Sequence, residues 1–252
     1  MTKRIIINAD DCGMSQTINN HIEQAILAGK ITSTTVMANM DDFEGAVNLY
    51  KQYGDQISFG WHINLSEGKP LLYSQLLLDK GFYNETEEGL EMNGKFFFRK
   101  WLSLAMRDEI EKELMAQYTK LKDCGIEISH IDSHHHVHTS TWAVTFIPKL
   151  LKETNIAAMR NITNNMTFGI SYLARCAWTK AFKIQYPGLS IPDVLSGYNR
   201  FAKVGQLKKG SVIELECHPG HPAYSDEEKK LLATSLSERF ELINYYQFTS
   251  LK

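Results

Sequence analysis

Apolar residues in this chain come as short dense runs, separated by longer stretches in which they recur every three or four positions. The runs RIIINAD (4–10), STTVMAN (33–39), SFGWHINL (58–65), EISHIDSH (127–134), AAMRNI (157–162) and SVIELECH (211–218) have the length and side-chain pattern of strands, and a weaker one lies near 192–195. Helical patterns fall between them, at about 15–29, 43–53, 106–124, 141–154, 168–184 and 226–243. In the 106–124 stretch, Ile110, Leu114, Tyr118 and Leu121 share one face, with charges between them. Ser225 followed by Glu228 has the capping-box spacing at the head of the last helix. Regular alternation of strand and helix predicts a parallel sheet with crossover helices. Six or seven strands in a chain this long predict an α/β fold, a distorted TIM-like (β/α) barrel, with a doubly wound open sheet as second choice.

No internal repeat or low-complexity linker divides the sequence, so residues 1–252 are expected to form one domain. One stretch, about 67–100, breaks the rhythm and carries Gly68, Pro70, Gly81, Gly89 and Gly94. Such an insertion either crosses the surface or forms a lid or wall of a cleft.

Side chains alternate across a strand, so odd and even positions sort onto opposite faces. Phe59, Trp61, Ile63 and Leu65 oppose Gly60, His62 and Asn64; Ile213, Leu215 and Cys217 oppose Glu214, Glu216 and His218. Asn8 and Asp10 oppose Ile7 and Ala9, while His130, Asp132 and His134 oppose Ile131 and Ser133. Four strands thus carry an ionisable face whose polar groups gather toward the C-terminal end. In a barrel that end is the mouth, where active sites sit. Carboxylates and imidazoles converging there are costly to bury unless they are hydrogen-bonded or hold an ion.

Composition narrows the classes. Hydrophobic residues make up 43% and charged residues 22%, with a formal charge of −2, so no basic field for nucleic acid or a membrane surface is present. No apolar run approaches the ~20 residues of a bilayer span. Two aspartates follow soon after Arg4, which argues against a signal peptide and for a cytoplasmic protein. The four cysteines, Cys12, Cys124, Cys176 and Cys217, form no CxxC and are expected to be structural thiols. A homodimer is compatible with the sequence but nothing in it demands one.

The segment HIDSHHHVH places five of the chain's nine histidines between His130 and His138. Asp10-Asp11 at one strand end, His62 at a second and part of this cluster at a third make an Asp/His/His set that leaves positions open for water and substrate. His134 has the right parity for a ligand and His135 the wrong one. Asp132 is placed to orient an imidazole. His138 can bend back as a ligand or contact substrate, and Thr139-Ser140 is expected to cap a helix starting near residue 141. His21, His130, His135 and His221 read as structural. Zn2+ suits the imidazoles and Mg2+ an oxygen-rich completion by water.

The stretches NADDCGMSQTINNHI, ITSTTVMAN, GWHINLSEGKPL, HIDSHHHVH and ECHPGH together resemble the YdjC-like carbohydrate deacetylases, in the family's order and over most of the chain. Cys12 is a departure, since the family usually has an aromatic residue there. The resemblance implies a TIM-like barrel, a divalent metal ion and hydrolysis of the N-acetyl group of an amino sugar or short chitooligosaccharide. It also implies Asp11, His62 and His134 as metal ligands, Asp10 as general base and His218 as acid. Asp11 must then reach the ion from outside the regular strand pattern. For the sugar, Arg160 and His138 are candidate contacts, as are Tyr73, Phe82, Phe96 to Phe98 and Trp101. Other metal-dependent hydrolases on such barrels tend to carry HxH on the first strand, where this chain has Asp-Asp. The HExxH and GxSxG motifs are absent. A silent metal- or sugar-binding protein would be expected to have lost part of the set, and all five residues are present.

Overall fold

A computed structural model describes residues 3–98, 102–140, 142–161, 170–199 and 210–251. Strands β1 (Arg4–Cys12), β2 (Ser33–Val36) and β3 (Ser58–Ile63) alternate with helices α1 (Gln16–Leu27) and α2 (Phe43–Tyr53). The insertion follows, with α3 (Gln75–Asp79), a hairpin of β4 (Tyr83–Thr86) and β5 (Gly89–Met92), and a 3-10 turn at Gly94–Phe98. Then come α4 (Leu104–Asp123), β6 (Ile131–Ser133), a 3-10 turn at His134–Thr139, α5 (Ala143–Thr154) and α6 (Ile170–Gln185). The chain finishes with β7 (Val194–Gly197), β8 (Val212–Cys217), α7 (Ser225–Ala233), β9 (Glu241–Leu242) and α8 (Tyr245–Thr249).

The main sheet runs β6-β3-β2-β1-β8-β7, every pair parallel. Beyond β6 the described part of the 157–162 run, up to Asn161, forms no full strand. It is held by isolated parallel bridges, Ile131 to Met159 and Ala158 to Ser190, which lead round toward β7. The sheet therefore curls into a distorted TIM-like barrel. β9 pairs with the start of β1, Arg4 opposite Glu241. Phe59, Trp61, Ile63, Ile213 and Leu215 pack outward under the helices, while Asn8, His62, Asp132 and Glu214 are buried on the inner side.

The foot of the barrel is plugged by α8. Its Asn244–Gln247 capping box is complete, and Tyr245 enters an apolar layer with Ile6, Ala158, Val212 and Ile243. The Tyr245 ring stacks on His130 at 3.5 Å between centroids. His130 in turn lies against Gly60, where a Cβ would stand 2.4 Å from its ring, so only glycine fits.

Three local expectations differ. The last helix ends at Ala233 rather than near 243, and Leu236 and Phe240 instead turn into the core. Ser225 is the first residue of α7, not its cap; Glu228 reaches His21 and the backbone N–H of Gly220. At α5 the cap position is Trp142, and the Ser140 hydroxyl donates to the Val137 carbonyl. The insertion is a docked wall. Asn39 and Asn64 donate to the Glu67 carbonyl at 3.2 and 2.7 Å, and buried Glu113 accepts from the backbone of Leu71 and Leu72. All four cysteines are free thiols. No described helix is long and apolar enough to cross a membrane.

Candidate metal centre and active site

Alternation along a strand forbids neighbouring residues from facing the same way, yet Asp10 and Asp11 both line the cleft. The register of β1 against β2 slips between Ala9 and Cys12, and Asp11 has φ +67°. A left-handed residue at a bulge re-aims its side chain. This backbone device brings the second carboxylate onto the inner side, and an alternating pattern does not contain it.

The rim of β3 brings His62 to Asp11, with Nε2 3.2 Å from Oδ1. Its other nitrogen, Nδ1, faces Asp132 at 2.6 Å, which fixes the ring as a carboxylate behind a ligating imidazole does. His134 stands just past β6 rather than at its last position, with Nδ1 2.8 Å from Asp11 Oδ1. His135 and His136, at φ +51° and +53°, then turn the chain sharply away. The three ligand-type atoms of Asp11, His62 and His134 lie within 4.8 Å of one another. His62 Nε2 and His134 Nε2 are buried without a hydrogen-bond partner. Orphaned buried nitrogens beside a carboxylate fit a divalent cation, because water and protein donors leave them unused.

Beneath this trio is an ion-pair floor. The Arg160 guanidinium donates to both oxygens of Asp10 at 2.6 Å and to Glu214 at 2.8 Å, and lies 2.9 Å from Asp132. Arg160 is fully buried, so the expectation that it contacts sugar is corrected: it anchors Asp10 from behind. Burial opposes ionisation of Asp10, but Arg160 outweighs it and holds the carboxyl below its ordinary value. For Glu214 burial prevails, and its pKa rises to about 7. Asp10, Asp132, Glu214 and Glu216 surround this one arginine. For His62 burial works against the charged ring, yet Asp132 and Asp11 raise its pKa to about 10, so an ion must displace a proton there.

His218, past the end of β8, faces Asp10 Oδ2 at 3.9 Å. Glu227 on α7 accepts from its backbone N–H at 2.8 Å and lies 3.2 Å from its Nδ1, while Tyr224 stacks on the ring. Burial disfavours the imidazolium, but Glu227 and the two aspartates overcome it and lift the pKa to about 9.

His138 is corrected too. It is buried, it lies outside the group lining the cleft, and its Nδ1 meets the Ser133 hydroxyl at 2.5 Å. Burial and nearby cations keep it neutral, so it pins the turn after β6. His135 is not turned away: its ring is 4.0 Å from that of His134, and it lines the cleft. Among the other sugar candidates, Phe82 and Phe96 are core and Tyr73 is on the surface. Trp101 and the side chains of Phe97 and Phe98 lie outside the described residues. Glu67, Tyr224 and Glu227 were not anticipated. They come from loops and a helix that strand parity does not reach.

The cleft holds about 540 Å³, and a second cavity of about 770 Å³ adjoins it across His135 and His136, walled by Asn84, Met92 and Lys95 of the insertion. A carbohydrate deacetylase of Clostridium beijerinckii is 31% identical over 86% of this chain and 82% of its own. Another from Vibrio parahaemolyticus is 30% identical over 89% of this chain and 80% of its own. Among solved structures, an Enterococcus faecalis protein provisionally described as a cellobiose-phosphate cleavage protein superposes with a TM-score of 0.76 at 21% identity, covering 98% of this chain and 99% of that one. That likeness is one of fold. With the family model for YdjC-like proteins matching residues 4–246, across the whole β1-to-α8 barrel and its site, the chain belongs to the YdjC-like family.

Proposed function

We propose that this chain is a metal-dependent carbohydrate deacetylase that hydrolyses the N-acetyl group of an amino sugar or short chitooligosaccharide. The observation that carries the reading is the Asp11–His62–His134 trio, in which the buried His62 Nε2 has no hydrogen bond and His134 Nδ1 faces the same Asp11 oxygen, set between a carboxylate and an imidazole of opposite proton habits. Relatives named carbohydrate deacetylase support it.

Asp11, His62 and His134 would hold the ion, Zn2+ or Mg2+. A divalent ion supplies a lowered water pKa and a Lewis acid for the acetyl oxygen. Asp10 is ionised at neutral pH, and its ion pair makes it a weak base. Oδ1 accepts from both Arg160 and Asn8, while Oδ2 accepts from Arg160 and keeps a lone pair, so the carboxylate can accept a proton there from an acidified water. Opposite it, His218 holds a proton that Glu227 and the aspartates keep in place. It can deliver that proton to the sugar nitrogen as the C–N bond breaks, which releases acetate and an amine. Tyr224 stacks on the His218 ring and holds its orientation. The small N-acetylated sugar enters from the side walled by the insertion.

Acetate release from N-acetylglucosamine and its β-1,4-linked oligomers tests this, with protein stripped of metal and reloaded with Zn2+ or Mg2+. Turnover that depends on added metal and falls in Asp10→Asn is expected. No release from any of these sugars by fully loaded protein would sink the reading.

A further inference from the structure

His134 offers two nitrogens, and they look in opposite directions. Nδ1 faces Asp11 inside the mouth, while Nε2 points outward, buried and without a hydrogen bond, 3.5 Å from Glu67 Oε2. Glu67 Oε1 is in turn 3.7 Å from His135 Nε2. Ligands at about 2.0–2.1 Å around a tetrahedral ion stand roughly 3.3 Å apart, so both gaps suit a cation better than a hydrogen bond. Glu67, His134 and His135 form a second group whose ligand atoms lie within 4.8 Å of one another.

Each of the three is held by something else. The Glu67 backbone carbonyl accepts from Asn39 and Asn64, which fixes the first turn of the insertion. The His135 Nδ1 meets the Ser66 hydroxyl at 3.0 Å, which leaves Nε2 as the nitrogen directed at Glu67. His134 is kept in place by Asp11. The position lies at the doorway where His135 lines both cavities.

We propose that Glu67, His135 and the outward nitrogen of His134 form a second, weaker divalent-cation position at the cleft mouth, distinct from the Asp11–His62–His134 centre. It rests on that centre being a metal site. Imidazole and carboxylate together favour Zn2+ over Mg2+. The outer ion is the weaker because His134, ligating through both nitrogens, must release its ring proton to solvent, and because Glu67 and His135 are partly exposed, with side chains that must give up rotamer freedom. Its open side faces the cavities and is free for water or a sugar hydroxyl.

The test is calorimetric titration of tag-free, metal-stripped full-length protein with Zn2+, with elemental analysis after dialysis. Wild type should take two ions per chain, the second at least tenfold weaker than the first. Glu67→Gln and His135→Ala should each take one, at the affinity of the tight site, with unchanged melting temperature. His62→Ala should lose the tight ion. One ion in wild type with both variants indistinguishable from it overturns the proposal. So does one ion whose affinity falls in Glu67→Gln, since Glu67 would then belong to the single centre. A His62→Ala variant that keeps the tight ion defeats the underlying metal reading instead.

Discussion

The floor and the mouth of this barrel hold similar numbers of charged groups a few ångströms apart. On the floor, Arg160 is satisfied by Asp10, Asp132 and Glu214, Glu214 by Tyr245, and Asp132 by His62 and Thr35. At the mouth, His62 and His134 each have a buried nitrogen that makes no hydrogen bond, 3.2 Å from Asp11 and 3.5 Å from Glu67. A closed network fixes geometry and an open one is reserved for a ligand, so burial and charge alone do not separate scaffold from site. A count of unmet polar atoms does not do so either, since Asn8 Oδ1, His130 Nε2 and His138 Nε2 are also without a hydrogen bond; what marks the mouth is that its imidazoles and Asp11 bring ligand-type atoms within 4.8 Å of one another.

The sharpest break of the comparison is Arg160→Leu against His134→Ala. Removing Arg160 leaves Asp10, Asp132 and Glu214 buried without their cation, and losing one side of a buried ion pair costs about 3–5 kcal/mol. His134 makes one side-chain hydrogen bond, to Asp11, so His134→Ala should change stability by about 1 kcal/mol while abolishing tight metal binding. Urea unfolding and elemental analysis of both variants check this. Equal losses of stability would erase the distinction.

Asp10 touches both regions and separates them another way. Asp10→Asn accepts from Arg160 through one oxygen only, loses the charge of that buried pair and cannot take a proton, so turnover should fall by about 10²–10⁴-fold. Metal content should stay near wild type, while the melting temperature should fall because the buried Arg160 loses a charged partner. Asp11→Asn, by contrast, should weaken the ion itself by removing the carboxylate that both imidazoles face. The two roles are exchanged if Asp10→Asn loses metal and Asp11→Asn keeps it.

A smaller effect is expected at Glu227. In the metal-free protein His218 should titrate near 9 by imidazole NMR, and Glu227→Gln should carry it toward its ordinary 6.5. A raised histidine pKa stabilises the fold fully below about 6.5, and that stability is lost as pH rises through about 9. Glu227→Gln should therefore flatten the stability profile over that window. A His218 titration unmoved by the substitution would show that the aspartates alone set it.

These contrasts follow what the sequence could and could not reveal. Alternation placed Asn8, Asp10, His62, Asp132, Glu214 and Glu216 on the inner face because a strand admits two directions only. Asp11 came through the family resemblance, since its direction depends on a positive φ that no side-chain pattern records. The same limit applies at His135 and His136, where two left-handed residues end the strand a position early. Arg160 reads in sequence as a candidate sugar contact, because a sugar's hydroxyls need polar partners. Its partners lie 28 to 150 positions away, and only closure of the barrel brings them together. The α8 plug was missed because five residues carry too little periodicity to register.

Tyr245 offers the finest test of the floor. Its hydroxyl donates to Glu214 Oε2 at 2.8 Å, 31 residues away and wholly buried. Burial drives the Glu214 pKa from 4.5 to about 7, against the pull of Arg160 and this hydroxyl. The native state thus holds a proton that the unfolded chain has released, and stability falls as pH rises from about 4.5 to 7. Tyr245→Phe withdraws a donor from the ionised carboxylate, and a buried acceptor left unmet costs about 1–3 kcal/mol. The cost should be small at pH 5, where Glu214 is protonated and needs less from its neighbours, and larger at pH 8. Urea unfolding of wild type and Tyr245→Phe at both pH values measures the difference. A cost equal at the two pH values would mean that the hydroxyl serves packing against His130 alone, and that Glu214 is not held by the plug.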